Sequence, residues 1–89
     1  MEAVITVVGR DRVGILAQVC AGCAKANVNV EEVTQRILRG TFAMIMLVDV
    51  SQCAVEFTQF AADMAALGQE MGVDIRCTRQ ELYDAMHRI

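Results

Sequence analysis

The chain has 89 residues, 55% hydrophobic and 21% charged, with no Pro and a mean hydropathy of +0.39. This composition implies one domain with ample core and excludes both disorder and a second domain, since chains divide into separate cores only at much greater length. A formal charge of −3, a pI near 4.9, 4% aromatics and no Trp provide neither the basic footprint nor the stacking platforms of a nucleic-acid binder.

Residues 2 to 8, Glu-Ala-Val-Ile-Thr-Val-Val, are β-branched and apolar on both faces, and they stop at Gly9. They read as a first strand. A polar stretch, Gly9-Arg-Asp-Arg-Val-Gly14, leads into a helical pattern from Val13 to Ala26, with Leu16, Val19, Cys20 and Cys23 on one stripe, Asp11 as N-cap and Asn27 as stop. Residues 28 to 39 form a second strand. Its apolar positions pass from Val28 and Val30 to Val33 and Ile37, a parity switch that a β-bulge near Glu31-Glu32 would produce.

Gly40 marks a hairpin turn into a third strand, Thr41 to Val50, again apolar on both faces. Ser51 is expected to cap a second helix, along which Phe57, Phe60, Ala61, Met64, Leu67 and Met71 repeat at helical spacing over residues 53 to 71 until Gly72. Val73, Ile75 and Cys77 alternate with polar residues in a fourth strand. The capping box Thr78-Arg-Gln-Glu81 then opens a short helix from Glu81 to about His87.

The order βαββαβ plus a C-terminal helix is that of an α+β, ferredoxin-like split-βαβ sandwich. Right-handed crossovers place both helices on one face of an antiparallel sheet of strand order 4-1-3-2. The order agrees with the composition, because strands one and three, which it makes central, are the uniformly apolar ones. Strand three offers Phe42, Met44, Met46 and Val48 to one side and Ala43, Ile45 and Leu47 to the other. Helices cover only one side, so a homodimer or larger homo-oligomer is expected, with the C-terminal helix as the competing cover.

The longest apolar run, Phe42 to Val48, is seven residues, against roughly 20 for a membrane-spanning helix, and Met1-Glu2-Ala3 carries no basic leader. No membrane partner and a cytoplasmic location are expected. Cys20, Cys23, Cys53 and Cys77 read as reduced, core-filling thiols. Cys20-Ala-Gly-Cys23 lies well inside the helix and not at its N-terminus, where a redox pair would gain a lowered pKa, and neither Cys53 nor Cys77 has a nearby His to complete a zinc set. No metal and no cofactor are expected. The single histidine, His87, has no Ser or Cys nucleophile evident beside it.

The most informative segment is the turn from strand one into helix one. Gly9 permits a tight exit, Gly14 allows close approach, and the unsatisfied N–H groups of the first helical turn suit a carboxylate, with Arg10 and Arg12 placed to assist. Gly9-x-Asp11-Arg12-x-Gly14-Ile15-Leu16 resembles the glycine-rich first loop of ACT domains, small ligand-sensing modules of this fold, and Asn27-Val-Asn-Val30 resembles their entry into strand two. The resemblance spans residues 1 to 89 as a single domain, with a C-terminal helical extension over about 80 to 89. The ending, Asp84-Ala-Met-His-Arg-Ile89, is similar to that of short stand-alone ACT proteins of bacteria and archaea.

The resemblance implies a non-enzymatic regulatory domain that dimerises and binds a small metabolite, an amino acid first, between two subunits. Asp11, Arg12, Val13, Gly14, Ile15 and Leu16 would form one wall and Asn29 the other. Val13 stands where the family often has Pro, which leaves its N–H free, and the Asp11 carboxylate would attract an α-ammonium group. The output would lie in a separately encoded enzyme or regulator. Two other readings stand beside this one: a ligand-free interaction subunit of such an enzyme, and an acylphosphatase-like hydrolase using Arg10 or Arg12 to hold phosphate.

Overall fold

The computed structural model describes residues 1–81 and 84. Six elements follow in chain order: β1 (Glu2–Arg10), α1 (Ile15–Lys25), β2 (Asn29–Leu38), β3 (Thr41–Asp49), α2 (Phe57–Met71) and β4 (Val73–Arg79). The four strands form one antiparallel sheet of order β2-β3-β1-β4, the 4-1-3-2 arrangement expected from the sequence. β1 and β3 are central.

Pairing fixes which residues share a face. Ala3, Ile5 and Val7 of β1 stand opposite Val48, Met46 and Met44 of β3, and all six are essentially inaccessible to solvent. This face is buried by Ile15, Val19 and Cys23 of α1 and by Phe60, Met64 and Met71 of α2, which join the strands in one apolar cluster. On the other, open face of β3, Ala43 is exposed, Ile45 is 46% exposed and Leu47 is half-buried. Within one chain, therefore, strand three is buried on one side only, although Val4 on the open face is buried between Leu47 and Thr78.

The bulge inferred from the parity switch falls at Glu31, between the Val30↔Val48 and Glu32↔Leu47 pairs. The β2–β3 hairpin closes through Arg39 and Gly40, both at positive φ (52° and 80°), which is the two-residue turn whose twist matches the strands. Asn27, at φ 60°, ends α1, and Gly72, at φ 76°, ends α2.

Three local expectations are corrected. Asp11 does not cap α1: the N-cap is Gly14, at φ 93° with no side-chain cap, and the Asp11 N–H instead donates to the Gly40 carbonyl at 2.8 Å, prolonging the β1–β3 pairing. Ser51 does not start α2. It sits in a turn where its N–H (2.9 Å) and hydroxyl (2.6 Å) donate to Asp49 Oδ1, and the helix begins six residues later, after Glu56. The buried stripe of α1 runs through Ile15, Val19 and Cys23, while Leu16 is 37% exposed. Of the C-terminal helix, Gln80, Glu81 and Asp84 are helical and the remainder, His87 included, lies outside the described residues.

Candidate functional site

The first loop leaves the end of β1 beside the β2–β3 hairpin. Gly9 is required there by close packing, because a Cβ would stand 2.6 Å from Val73 Cγ1. Gly14 is required by conformation and not by space: a Cβ would meet only Gln18 Nε2 at 3.7 Å, but φ of +93° strains any other residue. With no side-chain cap, the N–H groups opening α1 have no hydrogen-bond partner among the described residues. This is the polar, positive end of a helix dipole.

Around that start the predicted residues divide by role. Val13 is 97% exposed at the loop tip, with Leu16 beside the helix start. Ile15 is buried in the core, so only its backbone can face a ligand. Asp11 is exposed with its carboxylate free of hydrogen bonds among the described residues. Arg12 reaches across to α2, where its Nη1 donates to the Met71 carbonyl at 2.9 Å. The cation thus meets the negative end of α2's dipole and fastens the loop to the α2–β4 corner.

Asn29 lies elsewhere. At the start of β2 it pairs with Asp49, which pairs with Glu2, so it lies level with the start of β1 on the open face, while the first loop follows Arg10 at the other end. Eight residue steps of strand separate the two, about 27 Å. One chain does not bring both walls together.

Asn29 stands in an acidic corner that the sequence did not reveal. The bulge turns Glu31 toward Glu2, and a hydrogen bond to Glu2 raises the Glu31 pKa, with desolvation and the charges of Glu2, Asp49 and Glu32 adding to the effect. Asp49 is shifted down, first by the Ser51 hydroxyl and then by the Ser51 N–H. Its carboxylate also lies 3.5 Å from the N-terminal ammonium group. Glu31 and Glu32 alone read as solvated surface; only the cross-strand partners Glu2 and Asp49 make them a cluster.

The cysteines behave as core. Burial, with a smaller effect from Cys20, pushes the Cys23 thiol up to about 11, and burial, then Cys23, pushes Cys77 up to about 12. Such thiols are poor nucleophiles and poor metal ligands at neutral pH. Among the described residues no three His, Cys, Asp or Glu side chains converge to hold a metal ion. No described helix is long and apolar enough to cross a membrane.

The chain is thus a ferredoxin-like βαββαβ sandwich with an uncapped first helix behind its glycine loop. The ACT domain profile matches residues 2–78, and the chain belongs to that family of regulatory, ligand-binding domains. Its relatives run along its whole length. It is 44% identical over 88 residues to a UPF0237 protein of Bifidobacterium longum, covering 99% of this chain and 98% of that one. It is 41% identical, over the same shares, to a UPF0237 protein of the archaeon Methanopyrus kandleri. Among solved structures, an ACT domain protein from Streptococcus pneumoniae superposes with a TM-score of 0.82 at 32% identity, covering 93% of each chain.

Proposed function

We propose that this protein is a non-enzymatic, cytoplasmic ACT regulator whose two subunits hold a small metabolite, an amino acid first, between the first loop of one and the start of β2 of the other. The observation that carries the reading is the uncapped opening of α1 behind an exposed Val13, with unpartnered N–H groups suited to a ligand carboxylate. The exposed Asp11 carboxylate suits an α-ammonium group.

The β2 edge supports the second subunit. β2 is exposed along almost its whole length, and Val33 and Ile37, on the helix side opposite Met46 and Phe42, remain 41% and 56% exposed. Antiparallel pairing of two β2 edges about Gln35 sets Val33 against Ile37 of the partner subunit. It also brings Glu31 of the partner subunit opposite Arg39 and Glu32 of the partner subunit diagonal to Arg36, and carries Asn29 of the partner subunit to the hairpin end, where the first loop bonds to Gly40. A ligand that prefers one dimer geometry would shift its population, and a separate enzyme or regulator would read the change.

A thermal-shift screen against the twenty amino acids, confirmed by calorimetry, tests the reading. Ligand at 100 times its Kd should add about 2.7 kcal/mol. A hit lost in both Asn29→Ala and Asp11→Ala supports a ligand bound at these walls. No shift with any amino acid refutes an amino-acid sensor. That result would favour the interaction-subunit reading, for which the exposed Val8, Leu38 and Ile45 of the open face offer a docking surface.

A further inference from the structure

Away from the first loop, α1 and α2 leave a cleft of about 440 Å³ between them. Its inner surface is apolar, formed by Phe60, Met64 and Leu67. Gly22, packed closely against Met64 and Leu67, and the exposed Ala66 line it from the two helices, and the segment before α2 closes one end, tied down by the Ala54 N–H bond to the Ala26 carbonyl at 2.8 Å. Pockets of about 300 to 1,000 Å³ with apolar walls and a few convergent polar groups are where proteins take small molecules.

The polar groups here have opposite signs on opposite banks. Lys25 lies on the α1 bank, and Asp63 and Glu70, two helical turns apart, lie on the α2 bank. No ion pair joins Lys25 to either carboxylate among the described residues, although Asp63 accepts a hydrogen bond from Gln59 at 2.8 Å. The α2 bank runs from Phe60 to Glu70, about 15 Å, but the α1 bank only from Gly22 to Ala26, about 6 Å, so the two banks face each other over the length of a small molecule and not of a docked helix of several turns.

We infer that the cleft between α1 and α2 is a second small-molecule site, for a ligand whose apolar body carries both an ammonium and a carboxylate group. The body lies on Phe60, Met64 and Leu67, the carboxylate faces Lys25, and the ammonium group faces one of the two carboxylates of the opposite bank, Asp63 for a short ligand or Glu70 for a longer one. The site is separate from the first loop, since Gly14 and Lys25 stand at opposite ends of α1, about 16 Å apart.

Amide NMR titration of the whole chain with 6-aminohexanoate and with L-leucine tests this, with hexanoate and hexylamine as probes lacking one charge each. A zwitterionic probe should shift the amides of Gly22, Ala66 and Leu67, and both single-charge probes should bind at least about tenfold more weakly. Lys25 and Ala66 are exposed, so their variants keep the fold, which circular dichroism checks. Ala66→Leu, projecting into the cleft, should abolish the shifts, and Lys25→Ala should weaken binding. Shifts absent for both zwitterions, or undiminished in Ala66→Leu, overturn the proposal. Binding that survives Ala66→Leu but is lost in Asn29→Ala places the ligand at the first-loop site and refutes the cleft while sparing the regulator reading.

Discussion

Gly68 separates two opposing effects of one methyl group. In an exposed helix interior, Gly→Ala stabilises by about 1 kcal/mol through backbone entropy. Gly68, however, lies on the buried face of α2 against β4, where an added Cβ would stand 2.7 Å from the Val73 carbonyl oxygen, 2.9 Å from Ile75 Cγ1 and 3.2 Å from Ile75 Cβ. Neither obstacle can swing aside: one is backbone, and Ile75 is buried in β4, opposite the buried Val7. Relief requires α2 to lift from the sheet, loosening Phe60, Met64 and Met71. Overpacking costs about 1 to 3 kcal/mol, and with a backbone oxygen at 2.7 Å the cost falls in the upper part of that range, about 2 to 3 kcal/mol, which exceeds the propensity gain by about 1 to 2 kcal/mol. Gly68→Ala should therefore lower stability by about 1 to 2 kcal/mol, or Tm by roughly 5 to 15 °C for a domain of this size. Gly22→Ala is the control, since its Cβ would meet only the flexible ends of Met64 (Sδ, 3.0 Å) and Leu67 (Cδ2, 3.3 Å). That variant should be unchanged or more stable by up to about 1 kcal/mol. Urea unfolding followed by circular dichroism, at one fixed protomer concentration, measures both. A Gly68→Ala variant as stable as the parent would refute the packing argument.

Arg12→Ala removes a charged donor from the Met71 carbonyl and should cost about 1 to 2 kcal/mol, with Arg12→Lys recovering part of it; an unchanged urea midpoint would mean the loop is not fastened there. Gly14→Ala should lose about 1 to 2 kcal/mol from φ alone, and Gly14→Asn less, because Asn tolerates the left-handed region; equal losses would contradict a conformational cause. Cys23 and Cys77 should resist a thiol reagent at pH 8 until the protein is unfolded in urea. Their folded pKa values, about 11 and about 12, lie above the ordinary 9.0. The folded state thus holds protons that the unfolded state releases, and stability should fall as pH rises from 9 toward 12. A Cys77→Val variant should show a shallower alkaline decline.

The topology was legible because the burial demand on each strand is written in its residues. Apolar β1 and β3 had to be central, and the switch from Val30 to Val33 located the bulge at Glu31 within a residue. Helix starts were less legible, for a tertiary reason. Asp11 and Ser51 are both good capping residues, but the Asp11 N–H is taken by Gly40 of the distant hairpin and Ser51 by Asp49 beside the N-terminus, so both helices begin later. The first loop could be read as a motif, yet Arg12's bond to Met71, 59 residues away, could not. The acidic corner and the interhelix cleft exist only through cross-strand register and helix spacing. Local spacing carries neither.

For the proposed second subunit the chain offers two apolar surfaces, and substitution distinguishes them. Pairing at the β2 edge satisfies a row of free backbone groups and buries Val33 and Ile37, but it leaves the open face wet. Stacking of open faces buries Val8, Leu38 and Ile45 while leaving a ten-residue exposed edge. The edge combines both debts, unpaired N–H and C=O groups and half-exposed apolar side chains, so it is expected to close first. Ile37→Lys places a charge at the centre of the edge interface, whereas Ile45→Lys places one in the middle of the open face. Sedimentation equilibrium should find Ile37→Lys monomeric and Ile45→Lys still dimeric. The reverse pattern would move the interface to the open face. It would also separate the first loop from Asn29 of the partner subunit, and the shared ligand site would fall with it.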